Sequence, residues 1–151
     1  MEAVLNRVAY TLIGFVIGAA CVVPTTAQSS RRYVNPRSAS NPANAAQPPF
    51  SGAVVAGNTA YLSGVLGSGD TAEAAAAAGL NSLQNTLKAA DMTMDDLVSV
   101  QVFCPDVANY DAFNKVYRAY FKQEFPARAF IGSGPLLQGA KFEIQGIAVK
   151  R

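Results

Sequence analysis

Two apolar segments constrain the fold most: "LVSVQVFC" at 97–104 and "KFEIQGIAVK" at 141–150. A strand with one wet face alternates apolar and polar residues, whereas these segments are apolar nearly throughout. Both faces of the sheet that they form therefore need cover. Only two other segments have helical patterns, which is enough for one layer on one face. We predict that self-association in closed symmetry covers the other face.

The remaining elements follow from turn and cap signals. Segments 51–57 and 59–67 flank the turn pair Gly57-Asn58 and predict a β-hairpin. Helices are predicted over 70–91, capped by Asp70 or Thr71, and over 109–124, capped by Asn109. Two final strands, 127–134 and 141–150, close the chain. The order ββαβαββ predicts an α+β two-layer sandwich with a mixed sheet.

An aromatic stripe follows one face of the second predicted helix, and such a stripe is typical of a core. Its members are Tyr110, Phe113, Tyr117, Tyr120 and Phe121. Cys104 lies in an apolar strand pattern, and we predict a buried, inert thiol.

The N-terminus has the pattern of a signal peptide over 1–27. A basic residue, Arg7, precedes an uncharged run at 8–23, and Thr25 and Ala27 fit the positions before a cleavage site. The run of 16 residues would span about 24 Å as a helix, short of a bilayer core. We expect cleavage and export to the periplasm or the medium. An uncleaved membrane anchor is the alternative, and a lipoprotein site at Cys21 is a weaker one.

Segment 28–49 is rich in Ser, Asn, Ala and Pro, which predicts a linker or an extended arm. The chain carries a net charge of +2, but its last 102 residues, 50–151, hold eight Lys/Arg and nine Asp/Glu. The basic balance therefore comes from the N-terminal part. A domain without basic excess is a poor candidate for binding nucleic acid.

The chain has no histidine. This excludes a Ser-His-Asp or Cys-His nucleophile and any histidine-ligated metal. Arg128 is the unusual charged residue, because it lies in the apolar run "FPARAF", where a cation is costly unless something offsets it.

Four motifs, in order, resemble the Rid (reactive intermediate deaminase, or YjgF) family: "PPFSGAVVAGNTAYLSG", "FNKVYRAYF", "FPARAF" and "FEIQGIAVKR". The resemblance covers 50–151. It implies a chorismate-mutase-like homotrimer, in which the sheets face a central barrel and three sites lie in clefts between subunits. It also implies a hydrolase that needs no cofactor and no metal.

The resemblance gives Arg128 and Glu143 the catalytic roles. Arg128 matches the arginine that clamps the substrate carboxylate, which suits its planar fork of donors. Glu143 matches the glutamate proposed to orient or deprotonate water during hydrolysis of 2-imino acids to 2-keto acids and ammonia. The alternatives are a salt bridge for Arg128 and an interface hydrogen bond for Glu143.

Supporting positions and departures complete the resemblance. The predicted substrate-binding residues are Phe50, Ser63, Gly64, Asn114, Ala129 and Phe130. Phe50 stands where the deaminases typically carry Tyr, and Val65 replaces the usual Gln, which predicts a more apolar pocket.

Three functions remain open: imine or enamine deamination, a non-catalytic trimer that binds a small carboxylate or a protein, and ribonuclease or translation inhibition. The missing histidine and the neutral domain count against the third. Chorismate mutase activity fits worse, because that chemistry uses several arginines around a dicarboxylate.

Overall fold

The structure is a computed structural model that describes residues 30–35 and 48–151. The predicted signal peptide lies outside the described residues. Six strands and two α-helices, joined by short 3₁₀ turns, have these bounds in chain order: β1 Arg32–Val34, β2 Ala53–Ala56, β3 Thr59–Gly67, α1 Ala72–Ala89, β4 Leu97–Cys104, α2 Tyr110–Tyr117, β5 Ala127–Gly132 and β6 Phe142–Val149.

All six strands form one mixed sheet in the order β1-β2-β3-β6-β4-β5. Neighbours are antiparallel except β4 and β5, which are parallel. The hairpin β2–β3 turns at Gly57, whose φ of 63° is accessible to glycine at little cost. The predicted order ββαβαββ and the α+β sandwich are confirmed for the part after residue 50.

Strand β1 lies within 28–49, where the sequence predicts a linker or an extended arm. Tyr33 pairs with Val54, and Val34 is buried. The Arg32 guanidinium donates to the carbonyls of Ala89 and Ala90 at the end of α1, at 3.2 and 2.9 Å. The sheet therefore starts before the Pro-rich stretch, in a strand too short to show periodicity.

Helix α1 covers the sheet through small residues. Thr71 caps it by accepting a hydrogen bond from the Ala74 amide, as one of the two predicted caps. Gly79 lies so close to Gly67 that an added Cβ would be 3.3 Å from the Gly67 Cα. The alanine-rich face thus allows the close packing that the sequence predicts.

Helix α2 is shorter than the predicted helix over 109–124. It ends at Tyr117 and continues as a 3₁₀ turn whose Tyr120 phenol donates to Asn81 of α1 at 2.9 Å. Phe113 and Tyr117 are buried, as predicted for core residues. Tyr110 is 45% exposed, so the assignment of the whole stripe to the core is wrong there: the first residue of α2 lies at its outer end.

The sheet face opposite the helices stays open in the single chain. Tyr61 and Ile147 are exposed on it, and Gln145 donates a hydrogen bond to Gln101 at its centre. The face is thus less uniformly apolar than the strand patterns suggest. Cys104 is buried as predicted, and burial raises the pKa of its thiol. Among the described helices, none has the length and apolarity to cross a membrane.

Candidate active site

Arg128 lies on β5, at one edge of the sheet, and points toward the helices. Its register partner in β4 is the buried Val100, which fixes this orientation. One guanidinium nitrogen, Nη2, donates to Asn114 Oδ1 of α2 at 2.7 Å. Asn114 is buried, so this bond holds the guanidinium in place and leaves its other N–H groups as donors.

Four aromatic rings surround the guanidinium. Its Cζ lies 4.6 Å from the ring centroid of Tyr117, 5.7 Å from Phe113, 5.8 Å from Tyr110 and 6.0 Å from Phe130. Cation–π attraction in this range contributes about 0.5–2 kcal/mol per favourable pair, more where water is excluded. The rings offset part of the cost of placing a cation in an apolar strand.

No carboxylate neutralises Arg128 within the described residues, whose one ion pair joins Arg32 and Asp91. The salt-bridge alternative for Arg128 therefore has no partner in residues 30–35 and 48–151. Charge-assisted hydrogen bonds to an incoming carboxylate remain available to it.

Tyr117 is the least satisfied group of this cluster. Its hydroxyl is buried and has no hydrogen-bond partner in the described part of the chain. Burial raises the pKa of Tyr117 to about 12, although the Arg128 cation acts to lower it. The phenol therefore stays neutral at ordinary pH. We call the cluster the arginine pocket: Arg128, Asn114, Tyr110, Phe113, Tyr117 and Phe130.

Glu143 lies on β6 and points to the open face of the sheet. The side chain passes over Gly64 of β3, and a Cβ added there would lie 2.9 Å from the Glu143 Cδ and closer still to its carboxylate oxygen. A register shift between Leu62 and Val65 places Ser63 and Gly64 in a bulge opposite β6. Only glycine leaves room for the carboxylate at this point.

Ser63 connects the bulge to the segment before β2. Its amide donates to the Gly52 carbonyl at 2.9 Å, and its hydroxyl donates to the Ser51 carbonyl at 2.7 Å. Phe50 directly precedes this segment and is 58% exposed. Ser63 is thus a positioning residue in the single chain. We call Glu143, Ser63 and Gly64 the glutamate patch.

The single chain does not bring the arginine pocket and the glutamate patch together. Strand β4 separates β5 from β6, and Arg128 and Glu143 point to opposite faces of the sheet. Ala129 is exposed on the open-face side, whereas Phe130 packs toward Phe113 with ring centroids 5.6 Å apart. A cleft lined by both halves therefore requires residues from a second copy.

Comparison with known proteins identifies the family of the chain. The family model described as "Endoribonuclease L-PSP" matches residues 40–150. The chain belongs to this family, the Rid (YjgF) family. The predicted family membership is thereby confirmed.

The matches cover most of the length of the relatives that resemble this Rid chain. A fruit-fly protein named RutC family protein UK114 is 39% identical over 119 residues, 71% of this chain and 85% of the relative. A human protein named 2-iminobutanoate/2-iminopropanoate deaminase is 34% identical over 111 residues, 68% of this chain and 80% of the relative. The solved structure of the yeast protein YEO7 is 27% identical with a TM-score of 0.72, covering 81% of this chain and 100% of that one.

Sequence reasoning missed the three rings that α2 contributes to the arginine pocket of this Rid protein, those of Tyr110, Phe113 and Tyr117. It assigned the stripe of α2 to the core, and it named Asn114 as a substrate-binding residue without its hydrogen bond to Arg128. The signal was present, because Tyr110, Asn114 and Tyr117 recur at helical spacing and share one face. No group of three or more His, Cys, Asp or Glu side chains that could hold a metal occurs in the described residues.

Proposed function

We propose that this protein hydrolyses 2-imino acids, or their enamine tautomers, to 2-keto acids and ammonia. The observation that carries the proposal is Arg128: an oriented cation in an apolar strand, with free N–H donors and no carboxylate partner among the described residues. Relatives named as 2-iminobutanoate/2-iminopropanoate deaminases support the same reaction class.

Arg128 binds the substrate carboxylate, and Glu143 acts on water. Water adds to the imine carbon of the protonated imine while the Glu143 carboxylate accepts one proton from it. The resulting carbinolamine carries a hydroxyl and an amine on one carbon. Glu143 returns the proton to the amine and then accepts the proton of the hydroxyl as the C–N bond breaks, so that ammonia leaves as the C=O bond forms. The leaving ammonia takes up that proton as ammonium, which restores the Glu143 carboxylate. The product is the 2-keto acid.

The site requires a closed homotrimer in this proposal. Each cleft takes the arginine pocket from one subunit and the glutamate patch from the next, across the open face of the sheet. Light scattering of the protein should give three times the subunit mass. A monomer at micromolar concentration would leave Arg128 and Glu143 apart and would refute the intersubunit site.

The direct test measures ammonia release from imines that an amino-acid oxidase generates in situ, with semicarbazide as a competing trap. The protein should accelerate hydrolysis above the spontaneous rate and lower semicarbazone yield. Glu143→Gln should lower kcat more than it changes KM, because the amide cannot accept the proton. Equal rates with and without protein would remove the enzymatic proposal.

We also propose that the chain is exported after cleavage near Ala27, from the signal pattern over 1–27. Cleavage there would leave residues 28–31 ahead of β1, so the processed chain would keep the whole sheet. Mass spectrometry of protein purified from its native host should find an N-terminus near Gln28. A soluble intact chain that begins at Met1 would refute cleavage.

A further inference from the structure

The wall of the arginine pocket is aromatic on its accessible side. Tyr110 is exposed and meets Phe130 edge to face, with ring centroids 5.0 Å apart. Phe130 is itself only partly buried, whereas Phe113 and Tyr117 are buried beneath the guanidinium. Tyr110 and Phe130 thus form a continuous apolar rim beside the free donors of Arg128.

The rim lies within reach of a bound substrate. A carboxylate held by two N–H groups places its carbon about 4 Å from the guanidinium carbon, and the substrate side chain begins two bonds farther out. The ring centroids of Tyr110 and Phe130 lie 5.8 and 6.0 Å from the Arg128 Cζ. A side chain of several carbons can therefore lie on these rings, whereas a methyl group touches little of them.

We propose that the arginine pocket selects 2-imino acids with large apolar side chains, which lie against Tyr110 and Phe130. This inference depends on the proposed function for the reaction, but the selection itself is a property of binding. Burial of apolar carbon on the rings favours leucine- and phenylalanine-derived substrates over the alanine-derived one. A side-chain carboxylate is disfavoured, because the rings would remove it from water without a partner.

The first experiment compares kcat/KM for imines generated in situ from alanine, leucine, phenylalanine and glutamate. The leucine and phenylalanine imines should exceed the alanine imine by about 10- to 100-fold, and the glutamate imine should be the poorest. Phe130→Leu and Tyr110→Ala should each lower kcat/KM for the leucine and phenylalanine imines about threefold to tenfold more than for the alanine imine.

Leu137→Ala is the matched control, because Leu137 is an exposed apolar residue of a 3₁₀ turn outside the pocket. The control should leave the whole series unchanged. Phe130→Leu rather than Phe130→Ala is the principal variant, since Phe130 also packs on the core and its truncation could unfold the chain.

The second experiment separates selection from catalysis by calorimetric binding of stable keto acids. Phenylpyruvate and 4-methyl-2-oxopentanoate should bind about tenfold or more tightly than pyruvate, and 2-oxoglutarate should bind weakest. Turnover of imines without any preference for apolar side chains would overturn the inference and leave the proposed function intact. The predicted binding order without turnover of any imine, lost in Phe130→Leu, would support the inference and overturn the proposed function.

Discussion

The arginine pocket and the glutamate patch differ in how far one chain completes them. In the arginine pocket, the hydrogen bond that Arg128 donates to Asn114 of α2 and four aromatic rings fix the position of the guanidinium. In the glutamate patch, the Glu143 carboxylate has space over Gly64 but accepts no hydrogen bond within the described residues. The guanidinium of Arg128 is preorganised within the single chain, whereas the carboxylate of Glu143 lies on the open face of the sheet.

The difference follows from their environments. A guanidinium among aromatic rings loses water and must be held by internal partners, or the strand would not fold with it. A carboxylate on an open face keeps its water until another surface covers it. In the proposed mechanism, substrate binding therefore depends on the fold of one subunit, and water activation depends on assembly.

The largest expected effect is that of Arg128→Lys. Lysine keeps the charge but cannot donate two parallel hydrogen bonds from a planar group to one carboxylate. Losing such charge-assisted hydrogen bonds costs about 2–4 kcal/mol of binding free energy. We expect kcat/KM for imine hydrolysis to fall about 30- to 1000-fold with the oligomer intact. Steady-state ammonia release and light scattering measure the two quantities.

Arg118→Lys is the matched control for this substitution, because Arg118 is an exposed arginine just after α2. It should retain the activity of the unchanged protein. Full activity in a folded Arg128→Lys protein would mean that the pocket holds a structural cation, and the non-catalytic binding trimer would then fit better.

Gly64→Ala tests the glutamate patch. The new Cβ would overlap the Glu143 carboxylate, which would have to move by an ångström or more. We expect kcat to fall about 10- to 100-fold, since such a displacement moves the Glu143 carboxylate away from the water that it activates in the proposed mechanism. Gly134→Ala is the control, because a Cβ there meets nothing within 4 Å. A Gly64→Ala protein as active as the control would exclude a fixed position for Glu143.

Asn114→Asp tests whether Arg128 must lack a carboxylate partner within its own chain. The substitution keeps the shape of the side chain but places a carboxylate where Oδ1 now accepts from Arg128 at 2.7 Å. The new carboxylate should compete with substrate and raise KM about tenfold or more, with kcat and stability largely retained. Asn85→Asp, on the exposed side of α1, adds the same charge without that competition. Equal KM values in the two variants would contradict a substrate-facing guanidinium.

The sequence predicts the sheet and helices well because their signals are local. The apolar strand segments, the Gly57 turn and the Thr71 cap each depend on a few neighbouring residues. Strand β1 escapes prediction because three residues carry no periodicity, and its pairing with β2 depends on residues about 20 positions away.

The candidate site is predictable in its polar members and not in its geometry. Arg128 is conspicuous as a cation in an apolar strand, and Glu143 follows from the family motif. Their separation across β4 depends on strand order, because β6 inserts between β3 and β4 rather than beside β5. No spacing along the chain encodes that insertion, so the sequence alone does not show that Arg128 and Glu143 lie apart in the single chain.

The smallest expected effect is that of a substitution at Asp96, which lies outside both the arginine pocket and the glutamate patch. Burial acts to raise its pKa, but hydrogen bonds from the Thr93 amide and hydroxyl, at 2.7 and 2.9 Å, outweigh it and lower the pKa below 3.8. A lowered folded-state pKa adds stability that is present above the unfolded-state pKa and is lost as the pH falls through the folded-state pKa.

Asp96→Asn should therefore lower the free energy of unfolding by about 0.5–1 kcal/mol at pH 7. Urea unfolding of both proteins should show that gap narrowing as the pH falls below about 4, while kcat/KM at pH 7 stays unchanged. A loss of activity at neutral pH would mean that Asp96 acts in the site. It would contradict the separation of Asp96 from the arginine pocket and the glutamate patch.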